Sequence, residues 1–171
     1  MALTAAAPRR ERDRMVVADV VATPEGQFVV ILKTEATPLR FLPIWIGESE
    51  AIAIQMRLRR TEPPRPLTLN LLETVMTTGN IKLLEINIDS LKGDVYLGKL
   101  KLKSAARTWE VDARPSDAIG LALGRDAAIW VAREVLDRAS IGEGELRAPR
   151  HAPSPSDAER RGAKPTRDES L

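Results

Sequence analysis

Runs of hydrophobic residues alternate with turn residues in the first third of the chain. The segments MVVADVVA, QFVVILKT and RFLPIWI lie within residues 15–46, are rich in Val, Ile and aromatic residues, and are separated by TPEG and EATP. This pattern predicts three β-strands. The spacing then becomes helical over residues 48–60, with Ala51, Ile54 and Leu58 on one face, acids in the first turn and arginines in the last.

The same order returns in the second half of the chain. A second predicted helix, within RPLTLNLLETVM, precedes three strand-like segments at 81–89, 94–103 and 108–113. The helix SDAIGLALGRD is apolar nearly all round, which predicts that it is buried, and Gly124 is expected to end it. A strand, AIWVA, and a final helix, REVLDRAS, complete an α+β fold with a mixed β-sheet.

The fourth and fifth strands are predicted to form a hairpin. Matching their apolar faces places Ser90 opposite Asp94 and Glu85 opposite Lys99, with Gly93 in the left-handed conformation. A row of lysines then lies on the polar face, where it either pairs with acids on the neighbouring strand or contacts phosphates. This row is Lys99, Lys101 and Lys103.

Two segments of the chain match each other. ESEAIAI and PSDAIGL align Ser49 with Ser116 and Glu50 with Asp117, and each segment follows three strands. We therefore predict an internal duplication of a unit of three strands and a helix. At the local level a serine caps each helix and the acid complements its dipole. Alternatively, a pseudo-two-fold axis brings Glu50 and Asp117 together as ligands for Mg²⁺ or Mn²⁺.

Composition limits the classes of function. With 171 residues and 43% hydrophobic content, the chain can bury one core. Its 26 basic residues barely exceed its 24 acidic residues, so overall charge gives little attraction for a polyanion. The absence of cysteine excludes disulfides and thiolate zinc sites. We expect no secretory signal and no membrane span, hence a cytoplasmic protein.

The chain is predicted to contain one domain between two disordered ends. Residues 1–14 are expected to form an N-terminal arm, residues 15–141 the domain, and residues 142–171 a C-terminal tail rich in Pro, Ser, Arg and Glu. The only histidine, His151, lies in this tail. We therefore expect no acid–base role for it, because a general base must be held within hydrogen-bond reach of its target.

Three motifs carry a resemblance to a known family. LPIWIGESEA, RPLTLNLL and RPSDAIGLAL, in this order and at these spacings, resemble the bifunctional nuclease family over residues 15–140. The resemblance implies a compact α+β domain, a tendency to form homo-oligomers, and DNA or RNA as substrates, since some members degrade both.

The motifs of the family also suggest which residues form the site. They imply catalytic roles for Glu50, Asp117, Arg65 and Arg114, metal binding by Glu50 and Asp117, and substrate contacts for Thr68, Asn70 and Ser116. Mg²⁺ or Mn²⁺ is the expected cofactor, with no organic cofactor. Family members commonly continue RPLT with a histidine and an acid, where this chain has Leu69 and Asn70. If the chemistry uses that pair, this chain should be impaired or inactive, since leucine cannot transfer a proton.

Each polar residue of these motifs also has a structural explanation. Arg65 and Arg114 precede prolines at helix starts, where they either bind phosphate or pair with the two acids. Thr68 or Asn70 caps the second helix. Two functions follow: a metal-assisted nuclease of broad specificity, or an impaired relative that acts as a self-associating regulatory or interaction module.

Overall fold

The computed structural model describes residues 11–145, which form a seven-stranded mixed sheet and four α-helices. The strands are β1 (Arg12–Ala22), β2 (Phe28–Thr34), β3 (Phe41–Ile46), β4 (Lys82–Lys92), β5 (Val95–Lys103), β6 (Thr108–Ala113) and β7 (Ala128–Ala132). The helices are α1 (Glu48–Leu58), α2 (Thr68–Thr78), α3 (Pro115–Gly124) and α4 (Arg133–Ala139), followed by a 3₁₀ turn (Glu143–Glu145). The predicted α+β class is confirmed.

The order of the strands is symmetric about β7. The sheet runs β3, β2, β1, β7, β4, β5, β6, so that each antiparallel three-stranded unit lies on one side of β7. Strand β1 is antiparallel to β7 and β4 is parallel to it, so the two units run in opposite directions, as a two-fold axis through β7 requires. Each unit ends in a helix, α1 or α3, which is the arrangement that the predicted duplication requires.

The core lies on the side of the sheet that carries the helices. Helix α3 is buried along most of its length, as its composition predicted, because apolar residues and glycine occupy nearly all of its faces. Contacts join α3 to α1, α2, β4 and β5. The sheet curls around this core, since the Tyr96 hydroxyl of β5 donates a hydrogen bond to the Pro43 carbonyl of β3 at 3.4 Å, although these strands are not neighbours in the sheet.

Helix α2 packs on α3 at two glycines. Leu69 and Glu73, one helical turn apart, lie against Gly120 and Gly124, where a Cβ atom would collide with the leucine methyl and the carboxylate, respectively. Glu73 also accepts a hydrogen bond at 2.8 Å from Arg57 of α1. On the face of α2 that contacts α3, Met76 is buried, whereas Leu72 remains 39% exposed.

The predicted hairpin register is wrong. Strands β4 and β5 extend to Lys92 and Val95, and two bulges shift the pairing so that Glu85 lies opposite Lys101 and Ser90 opposite Leu97. Gly93 has the predicted left-handed conformation, with φ 58°. The alternation of side chains does not reveal a bulge, because a bulge inserts one residue without changing the pattern at either end.

The ends of the described region differ slightly from the predicted domain. Strand β1 begins at Arg12, before the expected start at Met15, and the 3₁₀ turn follows the expected end at residue 141. The predictions for residues 1–10 and 146–171 lie outside the described residues. Gly124 is the last residue of α3, as predicted, and the positive φ angle after the helix, 48°, belongs to Asp126.

Candidate functional site

A cleft of about 600 Å³ opens where α1, α2 and α3 begin. It brings together five of the seven predicted site residues, which come from segments far apart in the sequence. They are Glu50 of α1, Thr68 of α2, and Arg114, Ser116 and Asp117 at the start of α3. Ser49, Ile52, Ala53, Pro66, Leu67 and Leu69 complete the lining.

Arg114 joins the two acids of the internal repeat. Its Nε and Nη2 atoms donate hydrogen bonds to Asp117 at 2.7 and 3.1 Å, and Nη2 also lies 2.8 Å from Glu50 Oε1. Because one nitrogen contacts both carboxylates, the two acids lie at the same point of the cleft, as a pseudo-two-fold relation predicts. The hydrogen bonds and charge of Asp117, and then those of Glu50, raise the pKa of Arg114 above its usual range.

The predicted serine caps of α1 and α3 are wrong. Gly47 and Arg114 occupy the N-cap positions, so Ser49 and Ser116 are the second residues of their helices and the acids are the third. Carboxylates in this first turn still lie near the positive end of the helix dipole. The backbone N–H of Ala118 donates a hydrogen bond to the Arg114 carbonyl, which fixes the start of α3. The guanidinium of Arg114 then reaches Asp117, which lies one helical turn further along the chain.

The residues around the start of α2 have separate roles. Leu67 occupies the N-cap position, and the Asn70 side-chain oxygen accepts a hydrogen bond from its backbone N–H at 3.1 Å. Asn70 thus stabilises the start of α2 from the third helical position. The prediction that Thr68 or Asn70 is the N-cap residue is wrong. Thr68 is exposed at the cleft.

Arg65 does not pair with either acid. It is exposed, and no ion pair joins it to another residue in the described part of the chain, so the predicted salt bridge is present for Arg114 and absent for Arg65. Its neighbour Pro66 lines the cleft.

Comparison with known proteins assigns this fold to a family. The bifunctional nuclease domain matches residues 30–143, which is more than half of the chain. The chain belongs to the bifunctional nuclease domain family. This confirms the resemblance carried by the three motifs.

Relatives of the bifunctional nuclease domain occur in distant organisms. An uncharacterized protein of Mycobacterium tuberculosis is 38% identical over 121 residues, which cover 71% of each chain. Bifunctional nuclease 1 of Oryza sativa subsp. indica is 28% identical over 109 residues, or 62% of this chain and 33% of the rice protein. The chain therefore aligns with only a third of the plant enzyme.

The acids of this bifunctional nuclease domain provide an incomplete set of metal ligands. Within residues 11–145, no group of three or more His, Asp or Glu side chains is placed to hold a metal ion. Glu50 and Asp117 instead pair with a guanidinium. An all-protein site for a divalent cation is thus absent from the described residues, although Mg²⁺ is commonly held by only one or two carboxylates together with water and substrate phosphates.

Charged side chains on two other surfaces of the domain pair with one another. Lys99 pairs with Asp89 at 2.7 Å and Lys101 with Glu85 at 3.3 Å, which is the pairing alternative for two of the three lysines in the row. A second cleft, of about 620 Å³, contains four arginines, each of which pairs with an acid. These arginines are Arg12, Arg14, Arg40 and Arg133.

No helix among residues 11–145 is long and apolar enough to cross a membrane.

Proposed function

We propose that this protein is a nuclease that binds a phosphodiester in the cleft formed by the starts of α1, α2 and α3. The observation that supports this proposal is the meeting of Glu50, Arg114 and Asp117, supplied by both halves of the duplicated fold, at one cleft of a bifunctional nuclease domain.

Arg114 is suited to contact a phosphate oxygen. Its side chain is 66% exposed, and its Nη1 atom forms no hydrogen bond within the described residues, whereas Nε and Nη2 hold the acids. A guanidinium presents donors in a fixed plane, so the acids orient Nη1 while leaving it accessible. The exposed hydroxyl of Thr68 and the exposed Arg65 beside Pro66 provide further contacts for the phosphate backbone.

The charge of the cleft favours a divalent cation beside the substrate. Two carboxylates meet one guanidinium, so the cluster has a net negative charge that repels a phosphate unless another cation joins it. We propose Mg²⁺ or Mn²⁺ for this role, held by Glu50 and Asp117 together with water and substrate oxygens. When bound, such an ion lowers the pKa of water and neutralises charge that develops on the phosphate.

The carboxylates that line the cleft are the same two acids. Leu69 lies in the cleft at the position where the family motif implies a histidine, and the only histidine of the chain is His151. We propose that Glu50 or Asp117 accepts the proton of the attacking water, which couples this step to the ion pair with Arg114. Ser116, which is 8% exposed, supplies a hydroxyl at the same wall of the cleft.

Cleavage assays with matched variants test the proposal. Wild-type protein is incubated with plasmid DNA and with RNA, in Mg²⁺, in Mn²⁺ and in chelator, beside Glu50→Gln/Asp117→Asn. A control, Glu62→Gln/Asp112→Asn, makes the same change in charge at exposed positions. We expect cleavage by the wild type and the control, in metal only, and at least a hundredfold loss in the first variant. Equal cleavage by all three preparations would identify a contaminant and refute the proposal.

The second candidate is a catalytically impaired domain that self-associates through α2. Leu67, Leu71 and Val75 follow one another at intervals of one helical turn on its outer face, and Leu71 and Val75 are 60% and 56% exposed. A stripe of this kind on a small domain is typical of an interaction surface. We propose that a second copy of the chain covers it, since the same stripe on two copies is self-complementary.

Sedimentation analysis tests this second candidate. Wild type is expected to sediment as an oligomer, Leu71→Glu/Val75→Glu as a monomer, and Leu39→Glu, at an exposed apolar residue elsewhere, as the wild type. A monomeric wild type refutes self-association.

The cytoplasmic location stays a prediction.

A further inference from the structure

Arg114 also lines a second, smaller cleft. This cleft has a volume of about 410 Å³ and lies between the end of β3 and the tip of the β4–β5 hairpin. It shares Arg114 and Ser116 with the cleft that contains Glu50 and Asp117, called the acidic cleft below, so the two clefts are adjacent at these residues. A chain molecule that contacts Arg114 therefore has a neighbouring compartment within reach.

The lining of this smaller cleft differs in chemistry from that of the acidic cleft. Trp45 and Tyr96 line it, both of them half-buried, together with Ile44, Ile46 and Val95. The charged side chains in the lining are Asp94 and Arg114. A carboxylate at Asp94 repels phosphate but accepts hydrogen bonds from N–H groups. The lining thus favours a flat, uncharged ring with N–H donors.

The walls of the smaller cleft are held in place by the fold. The Tyr96 hydroxyl donates to the Pro43 carbonyl, which ties the hairpin to β3, and Trp45 packs against the apolar cluster of Val29, Ile31 and Phe41. Aromatic rings fixed in this way lose little freedom when a ligand stacks on them. Gly47 also lines the smaller cleft, and a Cβ atom there would lie against the Glu50 carboxylate.

We infer that the cleft of Trp45, Tyr96 and Asp94 binds a nucleobase of the strand whose phosphate contacts Arg114. This inference rests on the proposed function and specifies its substrate as a strand with an unpaired base, because a base must leave its stack to enter a cleft. Aromatic stacking accepts every base, since each has a π-face, which agrees with broad specificity. Asp94 favours bases that present an N–H donor.

Binding of two matched oligonucleotides tests the inference. One is a fluorescein-labelled single-stranded DNA of mixed sequence, and the other has the same length and phosphates but abasic sugars. Binding is measured by fluorescence anisotropy, once in chelator and once in Ca²⁺. Neither condition contains the Mg²⁺ or Mn²⁺ proposed for catalysis, so cleavage during the measurement is limited. We expect wild type to bind the base-bearing strand about 5- to 150-fold more tightly than the abasic strand, the range that stacking one base provides. Trp45→Leu should remove most of this difference and leave abasic binding within twofold.

A second readout covers the case in which Trp45→Leu does not fold. The variant Trp109→Phe/Trp130→Phe keeps Trp45 as the single tryptophan of the chain, and its emission should be quenched by the base-bearing strand and unchanged by the abasic one. Equal wild-type affinity for the two strands, or equal quenching by them, overturns the base site while leaving phosphate binding intact. Failure of both strands to bind overturns the proposed function and the base site together.

Discussion

The ion pair between Arg57 and Glu73 connects α2 to α1, and its loss should destabilise the whole domain. Its nitrogen and oxygen atoms are 2.8 Å apart, and the two side chains are only 9% and 17% exposed. Glu73→Gln keeps the shape of the side chain but leaves the guanidinium without its buried counterion. Removing one partner of a fully buried pair costs about 3 to 5 kcal/mol, and the residual exposure of this pair lowers our expectation to about 2 to 4 kcal/mol.

Urea unfolding followed by circular dichroism measures this change. The midpoint should fall with an unchanged slope, because the area exposed on unfolding stays the same. Glu62→Gln, at an exposed position, is the matched control and should change the free energy of unfolding by less than about 0.5 kcal/mol. Arg57→Leu/Glu73→Leu should be more stable than the sum of its single changes predicts. Additive losses, or a Glu73→Gln cost equal to that of the control, would refute the reasoning.

Three further changes test other parts of the domain. A hydrogen bond from Arg12, together with Lys101, lowers the pKa of Glu85 below its usual value of 4.5, although burial acts in the opposite direction. The stability that the Glu85 carboxylate contributes is therefore fully present above its pKa in the unfolded chain and is lost as the pH falls through its lower pKa in the folded protein. The free energy of unfolding of wild type should therefore fall more steeply below pH 4.5 than that of Glu85→Gln, as acid titrations in urea will show. Gly120→Ala places a Cβ atom against the Leu69 methyl, and we expect this clash to outweigh the roughly 0.5 to 1 kcal/mol that alanine gains over glycine in a helix. The substitution should therefore lower the unfolding temperature more in the wild-type background than in a Leu69→Ala background, and an equal effect in both backgrounds contradicts this packing. If wild type does not cleave nucleic acid, Leu69→His/Asn70→Asp should restore measurable cleavage, and failure to do so removes the missing pair as the cause.

Much of the fold follows from the sequence because its elements are strongly patterned. The seven strands and four helices lie where alternation, helical spacing and turn residues predict them. The register of the β4–β5 hairpin does not follow from the sequence, because two bulges leave residues unpaired that an uninterrupted ladder would pair. Sequence patterns locate strands better than they locate interruptions within them.

The candidate site was predictable in composition but not in detail. The internal repeat pointed to Glu50 and Asp117, and the structure brings both to Arg114. The separation of roles between Arg114 and Arg65 was not predictable, since both precede proline at a helix start. The sequence did not predict the smaller cleft lined by Trp45, Tyr96 and Asp94. Trp45 and Tyr96 lie in different halves of the chain and come to the same cleft only through the curl of the sheet. The signals available in the sequence were weak: a tryptophan near the end of a predicted strand, Trp45, and an acid at the tip of a predicted hairpin, Asp94.

The central position of β7 has a consequence for how the chain folds during synthesis. Each three-stranded unit pairs strands that are consecutive in sequence, so either can form early from local contacts. Strand β7 lies between the units but follows both of them in the chain. Until it emerges from the ribosome, β1 and β4 are both unpaired edges of the kind that recruit other strands. A stalled or truncated chain that ends before residue 128 should therefore aggregate, even though it contains every residue of the acidic cleft.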